Sequence, residues 1–308
     1  MQRQRFIAGL CCAGTALFGA RSAAFGFENA APTVRVRLFA GDELDRADVG
    51  GVHLDSSSPP TEIKANSGAL HVTAYRVDGT KIDRNYDGVI RSSVDGASSF
   101  ALVNEVDLES YVASVLASEI SWRWHPETLK AQAIAVRTYA LRRLARKNAA
   151  YDVVDTTANQ VYRGVDGIVG ALIAAANATA GQALTFAAAP ADVWYHSACG
   201  GHTAASTEVT GAPAPPYLGG IQDSDSSGVA YCSQTPYFTW RNTLAPSALA
   251  RVVGLDASSF DAITIAARWT DGRARTVRIR FKDVTMRDVD GHAFYARAGS
   301  ELGYKVVP

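Results

Sequence analysis

Apolar and polar residues alternate at period two over Val34-Arg35-Val36-Arg37-Leu38, which predicts a strand with one buried face. The stretch 40–64 is rich in Asp, Gly, Ser and Pro and predicts mostly loop. Residues 70–76 and 99–103 read as extended, so 33–105 forms a β-rich N-terminal portion. The period then changes. Leu108, Val112 and Val115 recur at helical spacing, and Glu119 continues their stripe four residues on. After the loop Ser121-Trp122-Arg123-Trp124, a second helix is predicted from Pro126 to about residue 146. Its proline suits the first turn, where the missing N–H would be unpaired anyway. An alanine-rich third helix falls within 164–180, with Gly181 as its stop. Further on, 184–186 and 192–196 predict strands, 211–228 a long surface loop and 247–253 a short helix. Residues 262–269 and 276–281 flank Asp271-Gly272, a hairpin signal. Strands, then helices, then strands predict an α+β fold, a helical core carrying Glu119 between β-rich N-terminal and C-terminal portions. The expected divisions are 1–24, 33–105, 106–240 and 241–308.

Composition narrows the class. The chain has 308 residues, 47% apolar and 19% charged, which is ordinary for a globular protein. A formal net charge of zero leaves no basic surplus for nucleic acid. The first residues read separately from the fold. Arg3 and Arg5 precede an apolar run over 6–20 and the small residues Ser22-Ala23-Ala24. That pattern predicts a secretory signal over 1–24, cleaved after Ala24, with the mature protein exported and not inserted in the membrane. Cys11 and Cys12 lie inside the run, where Leu10 does not fit a lipoprotein signal. Past the signal only Cys199 and Cys232 remain. In an oxidising compartment such a pair most simply forms one disulfide. Free thiols, or zinc held by His196, Cys199, His202 and Cys232, are the alternatives.

Two features of the helices point to chemistry. A carboxylate on a buried stripe at a helix carboxyl end is disfavoured as an anion by desolvation and by the helix dipole. Glu119 in that position would be held as the protonated acid that general acid catalysis needs. The alternative is a side chain that turns outward or pairs with an arginine. On the second helix, Lys130 and Arg137 are seven residues apart, about 10 Å along one face. They would serve ligand oxygens or else form a solvated face.

Several motifs occur in order. Tyr111-Val112-Ala113-Ser114-Val115-Leu116-Ala117-Ser118-Glu119 is followed by Leu129-Lys130-Ala131-Gln132-Ala133-Ile134-Ala135-Val136-Arg137-Thr138-Tyr139-Ala140. Then come Asp155-Thr156-Thr157, Gln160-Val161-Tyr162-Arg163-Gly164 and Tyr195-His196-Ser197-Ala198-Cys199-Gly200-Gly201-His202-Thr203, with Pro216-Tyr217-Leu218, Asp223 and Trp240 beyond. This series, over 103–240, resembles the stage II sporulation protein D family, which includes proteins described as amidase enhancers. The resemblance implies a lytic transglycosylase of peptidoglycan glycan strands that needs no cofactor. Glu119 would protonate the oxygen between N-acetylmuramic acid and N-acetylglucosamine, then take the proton of the muramyl C6 hydroxyl. That hydroxyl attacks its own anomeric carbon, so a 1,6-anhydro end forms and one carboxylate suffices where other glycosidases use two.

The resemblance further implies a glycan cleft lined by Lys130, Arg137 and Tyr139, with Arg137 holding the substrate through its planar fork. Tyr195, His196 and Ser197 would form the opposite wall. Gly200 and Gly201 would allow a sugar close to the backbone, or simply make a turn. For His196 the alternative is a hydrogen-bonded, partly buried ring. Trp122 and Trp124 would stack on sugars or pack in the core. Cysteines that some family members carry near the Asp-Thr-Thr segment are missing from 153–160, which argues against zinc by that route and favours a Cys199–Cys232 bond. The other readings are a non-enzymatic wall protein that binds glycan and activates a cell-wall amidase, and a structural envelope protein that binds a protein partner through its β-rich N-terminal portion.

Overall fold

A computed structural model describes residues 22–24, 32–94, 100–144, 150–236, 238–239, 241–254 and 260–302. Trp240 and nearly all of the predicted signal lie outside the described residues. The chain divides into two units, Met1–Tyr195 and His196–Pro308. The fold is α+β, with several separate sheets.

The first unit begins with β1 (Ser22–Ala24), β2 (Thr33–Leu38), β3 (Leu44–Val49), β4 (Val52–Asp55) and β5 (Glu62–Lys64). It continues with β6 (Leu70–Arg76), β7 (Lys81–Tyr86), β8 (Val89–Val94) and β9 (Phe100–Asp107). Three helices follow, α1 (Leu108–Glu119), α2 (Pro126–Leu144) and, after β10 (Val153–Val154), α3 (Gly170–Ala178). The hairpin β11 (Gln182–Phe186) and β12 (Ala189–Pro190) completes it. One sheet has the order β10-β2-β9-β8-β5 and a second β4-β3-β6-β7, while β1 pairs antiparallel with β11. Alternation in β2 does what the pattern predicts, burying Val34, Val36 and Leu38.

The segment 40–64 departs from the expected loop, since it holds three strands. Leu44, Ala47, Val49 and Leu54 are buried there while the charged residues between them face water. Gly50 and Gly51, both at positive φ, join Val49 to its partner Val52 in a tight hairpin. Composition hid a hairpin whose apolar positions are few but regularly placed. In the other direction, 192–196 is irregular chain and not the expected strand. Strand β12 ends at Pro190, and one further backbone bond, from the Ala191 N–H to the Leu184 carbonyl, follows it.

The helices rise directly from the sheet. Asp107, the last residue of β9, caps α1 by accepting from the N–H groups of Glu109 and Ser110 at 3.1 and 3.0 Å. Val112, Val115 and Leu116 of α1 join Leu129, Ala133 and Val136 of α2 and Leu172 of α3 in one core with the strands. Motif residues explain part of this frame. Asp155 accepts from the N–H groups of Phe39 and Ala40 and from Arg84. Burial raises its carboxyl above the usual range, against the pull of those donors. Tyr162 stacks on Tyr111 at 5.4 Å and donates to Asn104. Gly164 has φ +69, and a Cβ there would meet the Asn85 carbonyl at 2.0 Å, so only glycine fits.

The second unit holds α4 (Ser206–Thr210), α5 (Pro246–Val253), β13 (Phe260–Arg268), β14 (Ala274–Phe281), β15 (Met286–Asp290) and α6 (Gly291–Glu301). Strand β13 pairs antiparallel with β14 across the predicted turn, where Gly272 has φ +87, and β14 pairs with β15. Val252, Val253 and Ile279 form its small core, with Leu244, Ile263 and Phe294 packed against them.

Candidate functional site

Glu119 is the last residue of α1 and is exposed, which corrects the expected burial. It does continue the stripe of Val112 and Val115, but the helix has there run past the edge of the core. Its neighbours Ser121, Trp122 and Arg123 are exposed as well. The carboxylate turns instead to the segment after β10, where Oε1 accepts from the Val161 N–H at 2.9 Å.

The residue before that donor, Gln160, is 1% exposed and ties two tyrosines together. The Tyr111 hydroxyl donates to its Oε1 at 2.9 Å, and its Nε2 donates to the Tyr195 hydroxyl oxygen at 3.1 Å. One residue earlier, Asn159 accepts from the Val154 N–H through Oδ1 at 2.8 Å. Its Nδ2 donates to the Tyr139 hydroxyl oxygen at 2.9 Å, and that oxygen also accepts from Arg143 at 2.9 Å. Desolvation raises the Tyr195 phenol above its ordinary value, and the Glu119 charge adds to the shift with Tyr139 behind it. The buried Tyr111 phenol is raised by desolvation too, with smaller contributions from Tyr195, Tyr139 and Glu119. Glu119, Tyr139 and Tyr195 thus share one electrostatic neighbourhood, and both phenols that meet Glu119's field stay neutral.

Arg137 stands elsewhere. It is 0% exposed, and Nε and one terminal nitrogen bind Glu109 at 2.8 and 2.5 Å. The remaining donors reach the carbonyls of Ala133, Ala176 and Gln182 and the Thr179 hydroxyl. The guanidinium therefore joins α1, α2, α3 and β11, and no part of it is left for a sugar. This corrects the expected substrate clamp. An arginine on an Ala- and Leu-rich helix face is buried because Glu109, in the first turn of α1, neutralises it. Lys130 is half-exposed and pairs with Glu127 at 2.7 Å. Trp122 and Trp124 are 50% and 46% exposed, so neither packs in the core, and Trp194, which spacing did not single out, is 48% exposed beside Tyr195.

The other predicted residues belong to the second unit. His196 and Ser197 are exposed, and partial desolvation with the charge of Arg273 lowers the His196 ring below its ordinary value. Gly200 and Gly201 form a tight turn with φ +73 and +95. Cys199 and Cys232 are unbonded thiols with Sγ atoms 3.6 Å apart. The Cys199 thiol also donates to Asp223 at 3.2 Å, and burial pushes it up to about 12. Burial works to raise Cys232 too, but donors from Cys199, Gly201 and Gly200 outweigh it and lower that thiol. Among the described residues no three His, Cys, Asp or Glu side chains converge as a metal site, and no helix is long and apolar enough to cross a membrane.

Residues 97–186, which contain Glu119, Tyr139 and the whole 159–161 segment, match the SpoIID family model, described as stage II sporulation protein. The likeness to the SpoIID family is thus carried by that segment. The amidase enhancer of Bacillus subtilis is 28% identical over 239 residues, 72% of this chain and 31% of the relative. Stage II sporulation protein D of Bacillus amyloliquefaciens is 26% identical over 204 residues, 61% of this chain and 57% of the relative. An uncharacterized protein of Brachyspira hyodysenteriae is 33% identical over 193 residues, 61% of this chain and 50% of the relative. The chain thus spans between about a third and somewhat over half of the length of these relatives.

Proposed function

We propose that this protein is an exported lytic transglycosylase that cleaves the MurNAc–GlcNAc bond of peptidoglycan with Glu119 as acid and base. The observation that carries the reading is the Glu119 carboxylate itself. It is solvent-accessible, is held among the described residues by the Val161 N–H, and lies close enough to the Tyr195 phenol to help keep it neutral. A group of this kind can give a proton to the glycosidic oxygen and take one from the C6 hydroxyl. The protein interior does not exclude water from Glu119, so in this reading the bound glycan does. Exposed Trp122 and Trp124, in the loop that follows Glu119, supply flat apolar surfaces for pyranose rings.

His196, Ser197, Gly200 and Gly201 are proposed glycan contacts on the second unit, tested separately by glycan affinity after alanine substitution of His196 and Ser197. Export through residues 1–24 completes the proposal, and Phe25 as first residue of the exported protein would support it. Processing there removes β1 from the edge of β11. The central test is mass spectrometry of intact and peptide-stripped peptidoglycan after incubation with the purified protein. Anhydro-muramyl ends are expected, and ordinary reducing ends would mean a hydrolase.

A second reading has its own support. The match to the amidase enhancer covers more of this chain than the other matches given above. In that reading the same cleft binds glycan without cutting it and presents it to a cell-wall amidase. Glycan binding with no product ends, and faster cleavage by added amidase, would establish it.

A further inference from the structure

The segment 159–161 addresses three groups with three consecutive residues. Asn159 meets Tyr139, Gln160 meets Tyr195, and Val161 meets Glu119. The direction of each hydrogen bond can be fixed from its donors. The Val154 backbone N–H can only donate, so the atom of Asn159 that faces it is the carbonyl oxygen. The amide nitrogen of Asn159 must then face Tyr139. Arg143 can only donate as well. Both lone pairs of the Tyr139 oxygen are therefore taken, and its proton has to point away from both donors.

Burial settles the second case. Tyr111 is 0% exposed, and its hydroxyl proton needs an acceptor inside the protein. Gln160 Oε1 is that acceptor, so the amide nitrogen is what reaches Tyr195. The opposite orientation of the amide would strand the Tyr111 proton in the core. Tyr195 accordingly accepts from the interior, and among the described residues its hydroxyl makes no other hydrogen bond.

We propose that Asn159 and Gln160 are positioning residues that make the Tyr139 and Tyr195 hydroxyls obligate hydrogen-bond donors beside Glu119. Together they would hold neutral acceptor oxygens of a glycan, such as acetamido carbonyls or ring and glycosidic oxygens. Hydroxyl donors need no charge on their acceptor, and Arg137, expected to hold the substrate, is buried against Glu109 and does not supply a cation to the pair. The inference rests on the glycan-cleft reading and deepens it.

Two double-mutant cycles test it, Gln160→Met with Tyr195→Phe and Asn159→Asp with Tyr139→Phe. Each is read as kcat/KM for glycan cleavage and as Kd for glycan strands in a Glu119→Gln background. Each single substitution is expected to lose about tenfold, roughly one hydrogen bond. Adding the second substitution of a pair should cost less than about twofold more, since the tyrosine donor is already gone. A residue that merely supports the fold would give losses that multiply, with a matching fall in Tm. Multiplying losses in both readouts would overturn the proposal. Coupling in Kd from a wild type that cuts no glycan would remove the transglycosylase and keep the donor pair. Neither cleavage nor binding by the wild type would overturn both.

Discussion

Helix α1 carries a carboxylate near each end, and the two ends differ in how completely their polar groups are used. At the amino end Glu109 meets Arg137, whose donors are all spent on protein acceptors and whose side chain is 0% exposed. At the carboxyl end Glu119 accepts, among the described residues, from the Val161 N–H, and the tyrosines beside it accept bonds while keeping their protons. The first cluster is closed and the second is open. A closed cluster can only hold structure together. An open one retains directed hydrogen-bonding capacity, which a ligand can complete. Charge and spacing do not separate the two cases, because both pair an acidic residue with partners on a neighbouring segment.

The largest effect that would break this contrast is at the open end. Glu119→Gln should lower glycan cleavage by about 10²–10⁴-fold, the usual range for a general acid–base group. Stability should hardly change, since the side chain is exposed and makes one backbone bond. Product analysis and a thermal melt of the same preparation check both halves. Retention of most of the cleavage would remove Glu119 from the chemistry.

At the closed end the expectations reverse. Arg137→Met should cost on the order of 3 kcal/mol by urea unfolding, because it strands Glu109 and three carbonyls. The lower end of the range for buried pairs applies, as the Glu109 side chain keeps 23% exposure. Glu109→Leu in the same chain should restore part of the loss, since an apolar pair removes the stranded charge. A loss below about 1 kcal/mol for Arg137→Met would mean that the cluster is not the clamp described.

These two positions also show what could be read from the chain. The helices α1, α2 and α5 and the β13–β14 hairpin follow from periodicity and a turn signal, since local pattern dictates them. The stripe on α1 points in the right direction at Glu119. Only the place where the core ends, which depends on what packs alongside, was out of reach. Arg137 misled for the same reason, because its partner Glu109 lies 28 positions away. Of the candidate site, Tyr139 and Tyr195 came from motif resemblance, whereas Asn159 and the donor role of Gln160 came from the structure alone. The directions of hydrogen bonds depend on neighbours that no spacing rule brings together. The hairpin at Gly50-Gly51 was legible in principle, as two adjacent glycines between valines are a turn signal.

A smaller effect sharpens the comparison at the start of α1. Asp107 links β9 to the helix that carries both carboxylates, and it caps the helix through two N–H groups. Asp107→Ala should cost about 1 kcal/mol of stability, typical of a lost cap. Since the cap sits at the closed end, kcat should stay near that of the wild type while Tm falls. A large loss of kcat without a change in Tm would show that the two ends of α1 are not independent.

The smallest effect concerns Lys130, seven residues before Arg137 on α2. Both are cations that spacing puts on one face, yet Arg137 is buried and Lys130 is half-exposed with Glu127 for a partner. An exposed pair three residues apart on a helix contributes at most about 0.5 kcal/mol, so Lys130→Ala should leave unfolding nearly unchanged. Any larger consequence must then come from the ligand. If Lys130 lines the glycan cleft, KM should rise while kcat holds, because binding is lost equally in the ground and transition states. High salt should shrink the difference between Lys130→Ala and the wild type, as screening weakens an exposed charge. Unchanged KM at low salt would confine recognition to the neutral donors and the aromatic loop, leaving no cation from this face of α2 at the site.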